Sequence, residues 1–202
     1  MSTNVSNCKD RRVLRTQKQL KDALLILMEQ KPFQAISISE IVQQADVNRG
    51  TFYNHYQYKE ELLEAMIDDV LEDLVNAYRQ PYQNIDRFDI STLSTSAIKI
   101  FDHVQSHATF YSLMLTSPDL QELQNKLGDV IKNLLLQDLL INNHQSNLKS
   151  EFLASYHAHA LLGLIIEWVQ GGFRYSSKFM TEKLLEIIQG KNSRKVFKTS
   201  IT

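Results

Sequence analysis

Apolar residues recur at helical rather than strand spacing along this chain. Leu20, Ala23, Leu24, Leu27 and Met28 fall on one helical face, and Thr16 with Gln19 has capping-box spacing, so a first helix is predicted from near Thr16. Lys31-Pro32 ends it, because proline disfavours the helical conformation in the residue before it. Ser37 and Glu40 repeat the capping-box spacing and open a short second helix, with Ile38, Ile41, Val42 and Ala45 turned inward. Asp46-Val47 reads as a tight turn with Asp46 in the left-handed conformation, and Asn48 as the N-cap of a third helix reaching about His55. Two short helices this close make a helix-turn-helix. A fourth helix is predicted from near Lys59 to about Tyr78, with Leu62, Leu63, Met66, Ile67, Val70, Leu71 and Leu74 as its apolar stripe. Its other faces are acidic: Glu60, Glu61, Glu64, Asp68, Asp69, Glu72 and Asp73 would repel a polyanion, so only its start can lie near one.

Pro81 and the polar stretch to Asp89 mark a hinge. Beyond it helices are expected near 90–106, 108–116, 119–142, 148–172 and 178–190, with turns around Ser117-Pro118, Asn142–Asn147 and Gly171-Gly172. The division that follows is a flexible arm (1–10), a helix-turn-helix head (11–58), a connecting fourth helix (59–80), a larger helical regulatory and dimerisation domain (81–190) and a basic tail without an apolar face (191–202).

Composition agrees with an all-α class. Glycine and proline number only 6 and 3, and 43% hydrophobic content is ample for a core. The single cysteine, Cys8, builds neither a disulfide framework nor a thiolate metal site within one chain, which fits a reducing cytoplasm. Apolar runs stay short of the ~20 residues that span a bilayer, since Ala160–Ile166 is cut off by Glu167, so no membrane is expected.

A net charge of −1 argues by itself against a nucleic-acid binder, but the charge is unevenly placed. Residues 1–59 carry +4, residues 60–190 carry −9 and residues 191–202 carry +4. Lys9, Arg11, Arg12, Arg15, Lys18 and Lys21 are opposed only by Asp10, a density suited to phosphate neutralisation and equally to a solvated helix end.

The run from Ser37 to Tyr56 interleaves two residue sets. Ile38, Ile41, Val42, Ala45, Val47, Phe52 and Tyr56 have core spacing, while Asn48, Arg49, Thr51, Tyr53, Asn54 and His55 occupy the remaining faces of the third helix. Such a face suits a helix in the major groove, where Arg reads guanine, Asn reads adenine and a Thr methyl meets the thymine methyl. Gly50 lets a backbone come close, and free amides near Ser37 and Lys59 suit phosphates, with the Lys59 charge reinforcing the second site. Arg49 and Asn54 have no evident structural task, whereas Asn48 reads first as a cap and Tyr53 partly as packing.

Ser-Ile-Ser-Glu-Ile from Ser37, Ala-Asp-Val-Asn-Arg-Gly-Thr-Phe-Tyr-Asn-His-Tyr from Ala45 and Lys-Glu-Glu-Leu-Leu from Lys59 resemble, over about residues 12–65, the head of the tetracycline-repressor (TetR/AcrR) family. The resemblance implies that Arg49, Gly50, Thr51 and Asn54 face base edges, that Tyr53, His55 and Lys59 hold phosphates, and that Ser37 and Ser39 add contacts from the second helix. Two positions depart from it: Asp46 replaces the usual turn glycine, and Tyr58 stands where a capping Asp, Asn or Ser is common.

Residues 90–190 resemble more weakly a subgroup of that family that includes regulators related to dihydroxyacetone kinase control. The resemblance rests on Ile100-Phe101-Asp102-His103-Val104, Tyr111, and Gly163–Trp168 followed by Gly171-Gly172. It implies a homodimer formed through the last two long helices, with Phe152, Tyr156, Ala160, Gly163, Leu164 and Trp168 divided between interface and pocket, and hence a palindromic site on double-stranded DNA. His103, His107, Tyr111, Tyr156, His159 and Trp168 are candidates to line a cavity for a small-molecule effector, although core packing explains each singly. His103 and His107 lie one turn apart without an assigned third ligand, so they read as an exposed pair; no metal or cofactor is assigned. The expected function is a dimeric transcriptional repressor released by an effector, the alternative being a helical protein–protein interaction module. Without a phosphate loop, nucleophile elbow or metal-ligand set, an enzyme is not expected.

Overall fold

A computed structural model describes residues 3–82, 95, 98–116, 121–143 and 148–190. All regular structure among them is helical: α1 (Thr3–Gln30), α2 (Ile38–Gln44), α3 (Arg49–Tyr53), α4 (Lys59–Arg79), α5 (Ile100–Ser106), α6 (Ala108–Thr116), α7 (Gln121–Asn143), α8 (Leu148–Gln170) and α9 (Ser177–Ile188), with 3-10 turns at Phe33–Ala35 and Gln80–Tyr82. The chain forms two compact units, residues 1–71 and 72–202, and the division falls inside α4.

In the first unit α1 starts much earlier than expected. Neither proline nor glycine interrupts residues 3–16, so the Thr16–Gln19 pair lies inside a continuous helix and caps nothing, and residues 3–10 are helical where an irregular arm was expected. Its apolar face is as anticipated, with Leu20, Ala23, Leu24, Leu27 and Met28 buried. The helix stops before Pro32, and the 3-10 turn that follows tucks in Phe33.

The Ser37 capping box is complete. Ser37 Oγ accepts from the Glu40 backbone N–H at 3.3 Å, and Glu40 Oε2 accepts from the Ser37 N–H at 2.9 Å. The α2–α3 turn depends on Asp46, whose φ of 53° lets the Val47 N–H reach back to the Val42 carbonyl at 3.0 Å. Asn48 caps α3 by accepting the Gly50 N–H at 3.1 Å. Phe52 is 0% exposed, and Ile41, Val42, Ala45, Tyr56, Leu62, Leu63 and Met66 complete the core of the head. At the head of α4, where Tyr58 is a poor cap, Glu61 reaches back to accept the Gln57 N–H at 2.7 Å.

In the second unit α7 packs along α8, α6 packs against both, and α5 lies against α9. Phe101, Val104, Tyr111, Met114, Ile131, Ala154, Ala158, Ile165 and Trp168 are buried there. Helix α5 starts at Ile100, with Ile98 and Lys99 non-helical; residues 90–94 and 96–97 of the helix expected near 90–106, most of the expected hinge, the turn around Ser117-Pro118, residues 144–147 and the 191–202 tail lie outside the described residues. The turn after α8 falls where Gly171-Gly172 placed it, with Gly172 at φ 70°.

Helix α8 corrects the expectation about apolar length. Ser150–Gln170 has a mean hydropathy of 1.3, long and apolar enough by composition alone to cross a membrane, with 33% of it buried inside the chain. One face of α8 belongs to the core, and the other carries Phe152 (74% exposed), Leu153 and Tyr156 (69% exposed). Two apolar faces on one helix raise its hydropathy despite Glu167.

Lys59, expected at a phosphate, is held by the fold instead. Its Nζ donates to the carbonyls of Phe33, Gln34 and Ile36 at 3.0, 3.0 and 2.8 Å and lies 4.7 Å from the centre of the Phe33 ring. An ammonium has three protons, and all three are directed at the α1–α2 connection, which is thereby fastened to the start of α4. Lys59→Ala should lower the unfolding free energy of the head by roughly 1.5–3 kcal/mol, the range for hydrogen bonds to a charged group, read from urea titration of the full chain. An unchanged midpoint would show that these bonds do not hold the connection.

Candidate nucleic-acid interface

The recognition candidates gather on one exposed surface of the head. Ser37, Ser39, Asn48, Arg49, Gly50, Tyr53 and Asn54 are exposed, and Thr51 and His55 are half-buried. Because α3 has only five residues, Arg49 opens it and Asn54 closes it as the C-cap, with His55 in the turn beyond. The predicted reach to His55 was therefore too long by about half a turn. The reversal begins once the Tyr56 ring, 5.8 Å from Phe52, turns into the core.

Arg49 has a local role that the sequence did not reveal. Its guanidinium donates to Ser39 Oγ at 3.4 Å and to the Tyr53 hydroxyl at 3.2 Å, with Cζ 5.7 Å from the centre of the Tyr53 ring. These contacts are on the surface, so they orient the guanidinium without withdrawing it from an incoming partner. Tyr53 is 48% exposed, and its ring meets Phe52 edge-on at 5.6 Å. Its phenol thus stands exposed on a packed base, so the packing expected of Tyr53 leaves its hydroxyl at the surface.

Nothing in the head's own structure demands glycine at position 50. A Cβ built there would meet only Asn48 Oδ1, at an ordinary 3.7 Å. Glycine in a helix is less favourable than alanine by roughly 0.5–1 kcal/mol, and packing within the head gives no return for it.

The basic stretch of α1 divides. Arg11, Arg12, Arg15 and Lys18 are free of the core, with Arg11, Arg12, Arg15 and Lys18 all exposed, whereas Lys21 is paired with Asp69 of α4 inside the head.

The six cavity candidates of the larger domain also divide. His103 and Tyr111 are buried and bonded, His103 Nε2 to the Tyr111 hydroxyl at 3.0 Å, and the His107 ring lies 4.5 Å from that of His103. The expected exposed histidine pair is thus incorrect: α5 turns His103 into the core, and only His107 is partly open. Burial, with His107 beside it, pulls the His103 imidazole down to about 4, and burial raises the Tyr111 phenol above its ordinary range. Asp73 of α4 completes this group, 3.2 Å from His103 Nδ1, and no sequence signal marked it among the acids of that helix. Tyr156 and His159 instead point outward from α8, and Trp168 is core, donating to the Tyr175 carbonyl at 2.9 Å and meeting Phe101 edge-on.

Comparison with known proteins places both units. Residues 20–66 match the family described as bacterial regulatory proteins, tetR family, and residues 91–190 match the one described as a transcriptional regulator C-terminal region. The dhaKLM operon transcriptional activator DhaS of Lactococcus lactis is 26% identical over 163 residues, covering 78% of this chain and 81% of that protein. The HTH-type transcriptional regulator YxbF of Bacillus subtilis is 24% identical over 176 residues, 86% of this chain, which spans only 44% of that relative's length. Among solved structures, a dihydroxyacetone kinase operon activator DhaS superposes with a TM-score of 0.65 at 23% identity, covering 87% of this chain and 95% of that one. A fatty acid degradation regulator FadR from Bacillus halodurans superposes at 0.67 with 17% identity, covering 86% of this chain and 94% of that one. With an N-terminal helix-turn-helix and an all-helical second unit each matched in its own right, the chain belongs to the tetR family of bacterial regulatory proteins.

Proposed function

We propose that the chain is a homodimeric, DNA-binding transcriptional repressor whose α3 lies in the major groove of a palindromic operator. The observation that carries this reading is the outer surface of α3: Arg49, Tyr53 and Asn54 stand exposed beside a glycine that the protein's own packing does not require. Arg49, Thr51 and Asn54 read base edges, and Gly50 admits the duplex backbone. Ser37, Ser39, Tyr53 and His55 take phosphates and set the register, with Asn48 holding the first turn of α3. Lys59 acts from behind by fixing the α1–α2 connection, and the amides at the start of α4 face the phosphate in its place.

Two copies associate through α8 and α9. The outward residues Phe152, Leu153 and Tyr156 of α8 and Ile187 and Ile188 of α9 make the large apolar exposure that a two-fold helical interface would cover. Two heads related by that axis meet a palindrome. The name of DhaS is that of an activator. Repression is the simpler outcome for a head that only docks, because it needs operator occupancy alone. An effector bound in the second unit, and DNA bound by the head, would weaken each other through reciprocal coupling.

Arg49→Ala should weaken binding to the preferred duplex by ~1–3 kcal/mol and relax base preference at one position of each half-site, measured by fluorescence anisotropy across a set of single-base variants. Equal losses on preferred and random duplexes would remove Arg49 from base recognition. Gly50→Ala should separate stability from binding: the free chain melts at the same or a higher temperature, by up to roughly 1 kcal/mol of added stability, while duplex affinity falls. Retained affinity in that variant would mean that nothing approaches α3 closely at this point.

A further inference from the structure

Asp73, His103 and His107 bring three metal-ligating atoms to one place, all within 4.8 Å of one another. We propose that they form a binding site for a divalent late first-row transition-metal ion, zinc foremost. The spacing is that of a coordination shell. Asp73 Oδ2 lies 3.2 Å from His103 Nδ1 and 3.7 Å from His107 Nε2. Tetrahedral zinc with bonds of about 2.0–2.1 Å holds its ligands roughly 3.3–3.4 Å apart, close to both Asp73 distances, and the two histidine nitrogens, within 4.8 Å of each other, draw together on the ion by a ring rotation at the partly open His107.

The hydrogen bonds around the rings prepare both imidazoles for that task. His107 Nδ1 sits 3.2 Å from the His103 carbonyl and 3.0 Å from Ser106 Oγ. The carbonyl only accepts, and Ser106 already donates its own proton to that carbonyl at 2.7 Å. With its proton on Nδ1, His107 keeps the Nε2 lone pair on the side of the Asp73 carboxylate, 3.7 Å away, where a cation is coordinated by both. On His103 the Tyr111 hydroxyl, 1% exposed with its ring, accepts from Nε2–H when Nδ1 gives its lone pair to the ion. Two imidazoles and one carboxylate suit zinc, cobalt or nickel rather than calcium or magnesium. Three protein ligands leave a fourth position for water or a small donor, and the partly open His107 and exposed Asp73 give access to it. The ion would tie α4 to α5, joining residues that are 30 positions apart in the chain.

Cobalt(II) chloride titrated into the full untagged chain, after treatment with a chelator, tests this by visible absorption. The site predicts the intense d–d bands of four-coordinate cobalt, saturating at one ion per chain and displaced by zinc. Asp73→Asn and His107→Ala, both at solvent-accessible positions, should lose the bands while keeping the helical circular dichroism of the parent. Tyr111→Phe should weaken binding by ~10–100-fold, the range for removing a group that orients a ligand. His159→Ala, on the outward face of α8, should leave the spectrum unchanged. Absence of the bands in the parent chain, or their persistence in both the Asp73 and the His107 variants, would overturn the proposal and leave the group as a histidine–aspartate ion pair.

Discussion

Everything on the recognition surface depends on the burial of Phe52. A helix of five residues does not persist in water, because nucleation fixes several residues for very few hydrogen bonds. What holds α3 is tertiary: Phe52 is fully removed from solvent against a core that includes Ile41, Tyr56 and Leu62, and burying one such side chain stabilises by about 1.5–3 kcal/mol. The direction in which Arg49 and Tyr53 project is therefore set by the packing of the head, since one residue in the same short helix faces inward while its neighbours face out.

Polar groups complete what packing begins. Asn48 satisfies the first turn of α3, Ser37 and Glu40 satisfy that of α2, and Lys59 binds three carbonyls that would otherwise leave the α1–α2 connection free to shift. Arg49 bridges Ser39 of α2 and Tyr53 of α3 without leaving the surface, so the guanidinium is positioned before any partner arrives. A side chain ordered in advance loses less freedom on binding, which favours recognition by a small rigid face.

Much of this was legible in the sequence because it is local. Helical periodicity located the buried stripes of α1, α2 and α4, capping chemistry located the starts of α2 and α3, and Asp46 adopts the left-handed turn expected of it. What the sequence hid is what lies far apart along the chain. The carbonyl partners of Lys59 are 23 to 26 residues away, while its place at a helix start, its charge and the family resemblance all pointed to a phosphate. Asp73 reaches His103 across 30 residues and was one acid among many on α4. The early start of α1 was missed for a different reason: a serviceable cap spacing at Thr16 outweighed the plain absence of any helix breaker before it. Helix α8 read as too interrupted by Glu167 to resemble a membrane span, yet the sum of its buried and its open apolar faces gives it that hydropathy.

The outward apolar faces of α8 and α9 and the polar face of α3 lie in different units, and the proposed function joins them through a two-fold axis. Selection of duplexes from a random pool by the full chain, followed by sequencing of the bound fraction, addresses both at once. The account predicts enrichment of an inverted repeat whose half-sites recur on one face of the duplex, with binding that weakens as salt rises. Recovery of no shared sequence, or of a single unsymmetrical site bound by one chain, would contradict it.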